Sequence, residues 1–119
     1  MAAGQPELIV ATDAEALANT AAERVMARIA ANPGRIAICL TGGSSPKKLY
    51  QLLGGDAWRS KIPWDRVHWF IGDERFVPAS DPLNNMNIAR TTFLDRNAPP
   101  ENIHPVSYTH LTLPTILRV

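Results

Sequence analysis

Two short stretches carry side chains whose types and spacing suit chemistry on an anion. The first, Thr41-Gly42-Gly43-Ser44-Ser45-Pro46, follows the apolar run Ile36 to Leu40. Adjacent glycines let a backbone turn sharply and approach a ligand closely. Where such a turn opens a helix, free amides and the positive end of the helix dipole suit a phosphate. Ser44 and Ser45 add hydroxyl donors. The loop has neither the GxxxxGK[ST] order of a Walker A loop nor a GxGxxG dinucleotide fingerprint. Taken alone, it fits phosphate binding and a purely structural strand-to-helix turn equally well.

The second stretch, Gly72-Asp73-Glu74-Arg75, follows the apolar run Val67 to Ile71. Neighbouring side chains on an extended chain point to opposite sides, so Asp73 and Glu74 are expected to play different roles. Arg75 carries a planar fork suited to a phosphate. The alternative is a polar strand end whose charges pair with one another. Other reactive types offer less. His68 is read as packed within a strand, and Cys39 as a small buried hydrophobe. His104 and His110 form no metal-ligand spacing. Trp58, Trp64 and Trp69 are read as core packing, and Lys47-Lys48 as solvated. No HExxH, GxSxG or CxxC pattern occurs.

The elements that must position these stretches follow from periodicity. Leu8 to Ala11 is a short apolar run, predicted as a first strand. Thr12-Asp13-Ala14-Glu15 has the form of a capping box. Leu17, Ala21, Val25, Met26 and Ile29 then fall at helical spacing, and Asn32-Pro33-Gly34 stops the helix. Ile36 to Leu40 is apolar without alternation, as expected of a strand covered on both faces. Ser45 is the predicted N-cap of the next helix, with Pro46 in its first position. Leu49, Leu52 and Leu53 share a face of that helix, which ends at Gly54-Gly55. After the strand Val67 to Ile71, a further helix is predicted from about Asn84-Asn85 to Leu94, with Met86, Ala89 and Phe93 inward. This alternation gives an α/β fold with a parallel, Rossmann-like sheet and flanking helices. Ligands bind such sheets at the carboxyl ends of the strands, where both stretches fall.

Composition narrows the function classes. The chain has 119 residues, 12 Lys and Arg against 11 Asp and Glu, and 45% hydrophobic residues. A net charge of +1 argues against an electrostatic partner of nucleic acid. No apolar run reaches the roughly 18–20 residues that cross a bilayer. A single cysteine excludes an internal disulfide and fits a reducing, cytoplasmic compartment. The start, MAAGQPELIV, lacks the form of a signal peptide.

Taken together, LTGGSSPKKLYQLL, WDRVHWFIGDERFVPASDPLNNMNIAR and APPENIHP resemble the N-terminal part of the 6-phosphogluconolactonase family. The resemblance covers Leu8 to Pro105 and implies a truncated N-terminal portion of a larger α/β domain. It implies hydrolysis of 6-phospho-D-glucono-1,5-lactone to 6-phosphogluconate, without metal or organic cofactor. The partner is then a small-molecule sugar phosphate, with neither nucleic acid nor membrane. By the same resemblance Gly42, Gly43 and Ser44 line the sugar-phosphate site. Arg75 helps to hold the phosphate, and Asp73 and Asn85 order the pocket. Such chemistry needs water activated by a general base and fixed donors for the oxyanion. The family's catalytic histidine lies in a Gly-x-Gly-x-Asp-Gly-His-x-Ala-Ser-Leu-Phe-Pro segment that this sequence lacks. No catalytic residue is therefore assigned, and the chain is expected to be inactive. Related glucosamine-6-phosphate deaminases resemble Thr-Gly-Gly-Thr-Pro followed by Asp-Glu-Tyr, whereas Ser44-Ser45-Pro46 and Asp73-Glu74-Arg75 favour the lactonase. A sugar-phosphate-binding module without catalysis is the third reading.

The last 14 residues, 106–119, differ from the rest: Arg118 is their only charged residue, and they hold no Gly. Residues 106–115 resemble a translated sequencing-library adaptor. The expectation is a family-like unit over 1–105 and an artefactual tail over 106–119. The encoding nucleotides decide it, since different synonymous codons across Val106 to Thr115 would sink the idea. An unpaired sheet edge and uncovered apolar faces are expected to favour aggregation.

Overall fold

Apolar, β-branched runs flanked by Gly and polar turns become strands when a neighbour can satisfy their backbone groups. In the computed structural model, which describes residues 5–106, two such runs do so with the predicted bounds. β1 (Ile36–Leu40) and β2 (Val67–Ile71) pair in parallel, from Ile36 opposite Val67 to Leu40 opposite Ile71. A two-residue β3 (Ile103–His104) pairs in parallel with β2, giving the order β1-β2-β3. α1 (Ala14–Ala31) precedes β1, and the crossovers carry α2 (Ser44–Leu53), α3 (Asp56–Arg59) and α4 (Asn85–Ala89). A π-helical turn, Arg90–Leu94, continues α4. Sequence periodicity finds α4 and its turn as one helix, and Met86, Ala89 and Phe93 are buried as predicted. It misses α3 and β3, which are too short for a period to register.

The core lies on one face of the sheet. Val67, Trp69, Ile71 and Leu40 meet Ala22 and Ile29 of α1, Tyr50 and Leu53 of α2, and Met86, Phe93 and Leu94 beyond β2. Trp69 is fully buried, with Phe93 edge-on at 5.2 Å and Trp64 tilted at 5.7 Å. Trp58 packs at the margin of this core, so the tryptophans act as packing residues. After α1 the chain turns through Asn32-Pro33-Gly34. Arg66 reaches back and donates to the carbonyls of Asn32 and Gly34 at 2.8 Å each, tying the α1–β1 turn to the approach to β2.

Several expectations need correction. Leu8 to Ala11 forms no strand: Leu8 and Val10 are 88% and 82% exposed, and no described strand lies beside them. An apolar run without a pairing partner does not become a strand. The capping box shifts by one residue, because Asp13 rather than Thr12 caps α1, accepting from the Ala16 amide at 2.7 Å. The buried stripe of α1 turns accordingly to Ala18, Ala22 and Ile29, leaving Leu17 half exposed. β1 is not covered on both faces. Ala37 and Cys39 point to a side on which no described helix packs, so Cys39 is exposed rather than buried. The segment 106–119 lies, save for Val106, outside the described residues, as does His110.

Candidate functional site

Both sequence stretches emerge at the carboxyl ends of β1 and β2, side by side. The Gly72 amide donates to the Leu40 carbonyl at 2.9 Å, which carries the β1–β2 ladder one residue past β2. The first loop turns at Gly43, whose φ of 107° lies in the left-handed region that glycine tolerates. Here the predicted cap is corrected: Gly43, not Ser45, is the N-cap of α2, and Pro46 is the third helical residue. The cause is that turn, because a positive φ ends the loop at Gly43 and lets Ser44 enter the helix. No side chain caps α2. The amides of its first turn are thus left to solvent or to an anion. Ser44, Ser45, Lys47 and Lys48 are exposed around this end.

The two loops are bolted together by Asn85. A Cβ on Gly42 would overlap the Asn85 carboxamide, so only glycine permits this approach. Asn85 is 4% exposed, and its Nδ2 donates to the Asp73 carbonyl at 2.7 Å. Gly42, Asp73 and Asn85, three of the predicted site residues, therefore meet. Asn85 is held in turn by Glu74, which is buried and whose Oε1 accepts from the amides of Arg75 at 2.8 Å and Asn85 at 2.5 Å. Its Oε2 accepts from the Met86 amide at 3.0 Å. Asn84 caps the same helix, accepting from the Asn87 amide at 2.8 Å. The acidic pair is split as expected. Glu74 turns inward to fasten the start of α4, while Asp73 and Arg75 are exposed at the loop surface.

Tyr50 completes the frame, and sequence reasoning overlooked it. Its hydroxyl donates to the Thr41 carbonyl at 2.5 Å and accepts from the Thr41 amide at 3.1 Å. The ring is 2% exposed and stacks on Phe93 at 5.2 Å. Burial pushes the phenol above its ordinary value of 10.0; the backbone hydrogen bond at Thr41 works against that rise and Cys39 adds to it. The available signal was position: Tyr50 stands three residues before Leu53 on the inward face of α2, the one polar tip in an apolar stripe. Glu74 was legible only as half of an acid pair, because nothing in the sequence says which acid faces inward.

His68 and His104 lie apart from this frame. They contact each other across β2 and β3, Nδ1 to Nε2 at 2.9 Å, with Phe70 stacked on His104 at 4.4 Å. His68 is thus half-buried against a histidine partner on the open sheet face. Among the described residues no group of three or more His, Cys, Asp or Glu is placed to hold a metal ion. No described helix is long and apolar enough to cross a membrane.

A parallel α/β sheet with a glycine turn, an uncapped helix start and an acid-basic loop side by side defines a class: α/β domains whose loops gather at the strand carboxyl ends, where such sheets take their ligands. The family described as glucosamine-6-phosphate isomerases/6-phosphogluconolactonase matches residues 12–115, a span that runs through the compositional break at 106. The chain belongs to that family. A 6-phosphogluconolactonase of Nostoc sp. is 49% identical over 74 residues, which are 61% of this chain and 29% of that protein. One of Streptomyces coelicolor is 36% identical over 107 residues, 86% of this chain and 41% of that protein. The solved 6-phosphogluconolactonase from Trypanosoma cruzi is 30% identical with a TM-score of 0.76, covering 97% of this chain and 42% of that one. The chain thus spans well under half the length of these relatives.

Proposed function

We propose that the chain supplies the sugar-phosphate-binding part of a 6-phosphogluconolactonase. In that reaction water adds to the lactone carbonyl of 6-phospho-D-glucono-1,5-lactone, the ring C–O bond breaks, and the open-chain acid 6-phosphogluconate leaves. The observation that carries the reading is the junction of Gly42, Asn85 and Asp73, which sets an uncapped helix start beside the loop that carries Arg75. Gly42, Gly43 and Ser44 approach the phosphate through the backbone, and Arg75 adds a bidentate charge. Asp73 and Asn85 order the loops around it. The described histidines are paired with each other on the open face, so no general base is assigned at the loops.

Calorimetric titration of the 119-residue chain with 6-phosphogluconate tests the reading. Saturable one-to-one binding is expected, with no lactone hydrolysis above the spontaneous rate. Absence of binding by a folded chain would overturn the site, and turnover lost on Arg75→Ala would overturn the assignment of no catalytic group.

A further inference from the structure

We infer that Tyr50 is a positioning residue that fixes the glycine loop from within its own helix. The role rests on the proposed sugar-phosphate reading, and it extends that reading to a residue that need not touch the ligand.

The geometry is a two-point clip. One hydroxyl both donates to the Thr41 carbonyl and accepts from the Thr41 amide, so it meets both polar groups of the residue just before Gly42. Thr41 is the first residue past β1, where the ladder ends and its backbone groups lose their regular partners. Thr41 itself is exposed, so without the phenol both groups would turn to solvent and the base of the loop would lose its tie to α2. The clip also has a rigid base. Tyr50 is nearly inaccessible and stacked on Phe93, whose Cβ lies so near Gly54 that a side chain there would meet it at 2.8 Å. The phenol therefore hangs from a packed seam joining α2 to the turn after α4.

The loop is consequently held at two successive residues by two different helices. Tyr50 of α2 grips Thr41, and Asn85 at the start of α4 fills the space against Gly42. Gly43, the next residue, has a positive φ and is the one left to direct amides outward. Glycine-rich turns lose much conformational freedom on ordering, so holding their base before the ligand arrives raises affinity without any added contact.

Tyr50→Phe keeps the ring and its stack while deleting both hydrogen bonds. In the 119-residue chain it is expected to weaken 6-phosphogluconate binding about 3- to 10-fold, the range a lost hydrogen bond implies. Amide hydrogen exchange at Thr41 to Ser44 should quicken by a similar factor. Ile29→Val, a buried position of α1, is the control for a merely structural role: it should lower thermal stability and leave the exchange of these amides near wild type. Unchanged affinity and unchanged exchange in Tyr50→Phe would overturn the inference. If the wild-type chain binds no 6-phosphogluconate, the sugar-phosphate reading fails by itself. Exchange at Thr41 to Ser44 then still tests the clip, faster exchange supporting it and equal exchange refuting it.

Discussion

The carboxamide of Asn85 fills the space that a side chain on Gly42 would need, so two loops from different strands share one packing site. Asn85 cannot simply swing away. It is buried, and its Nδ2 is committed to the Asp73 carbonyl at 2.7 Å. The spacing of the loops is therefore set by a glycine on one side and a hydrogen bond on the other.

Gly42→Ala should accordingly break the junction. Overpacking at a buried contact costs about 1–3 kcal/mol, and urea denaturation should show a loss of that order with weaker ligand binding. Asn85→Ala in the same background removes the obstructing carboxamide, so the double variant should recover part of the loss. Additive losses in the double-mutant cycle would show that Gly42 and Asn85 do not share a site. Gly43→Ala separates the other cause: its new methyl would be 3.7 Å from Pro46, yet φ is 107°, so any loss there reflects the backbone.

Glu74→Gln should destabilise the start of α4. The carboxylate accepts from three amides, those of Arg75, Asn85 and Met86. An amide side chain has one oxygen and turns its NH2 toward a donor, leaving a buried N–H without an acceptor at a cost of about 1–3 kcal/mol. Because Asn85 is the first residue of α4, hydrogen exchange should rise at Asn85 and Met86. Asp73→Asn, at an exposed side chain, should stay within about 0.5 kcal/mol of wild type. Equal losses in the two variants would contradict the division of labour between the acids.

That division shows how far the sequence carries. β1 and β2 were legible to the residue because each is an apolar run closed by polar turns, and each finds a partner in the other. Leu8 to Ala11 has the same local character and no partner among the described residues, so it stays irregular. Pairing is a tertiary fact that the run itself does not contain. Asp13 displaced Thr12 as cap for a similar reason, since both can cap and only the incoming chain direction selects one. Gly42 was legible as a glycine that permits close approach, but not what approaches it. Asn85 came from family resemblance, and Tyr50 from neither source, because its function lies in a contact nine residues back along the chain.

Arg75 should separate binding from folding. Its side chain is exposed, and its backbone amide rather than its guanidinium serves the loop through Glu74. Arg75→Ala is expected to leave the thermal midpoint within about 2 °C, as an exposed substitution implies. Affinity for 6-phosphogluconate should fall about 10-fold or more, the usual scale for a charge-assisted hydrogen bond. Arg75→Lys restores the charge without the fork and should recover only part of it. Raising the salt concentration should weaken the wild type more than Arg75→Ala. Identical salt dependence in the two proteins would remove Arg75 from the anion site.

Tyr50 gives the fold an alkaline limit whose sign follows from its shift. Burial raises the phenol in the folded chain, so the folded state keeps a proton that the unfolded state has released. Stability then falls with pH once the unfolded phenol, near 10, begins to ionise. Below that pH the contribution is complete, and it is lost as pH rises through the folded-state value. Urea midpoints between pH 8 and 11 should therefore decline more steeply for wild type than for Tyr50→Phe, which has no proton to lose at this position. Tyr108 is present in both proteins and cancels from the comparison. Parallel declines would mean that the phenol ionises alike in the folded and unfolded chains, contrary to its burial against Phe93 and Thr41.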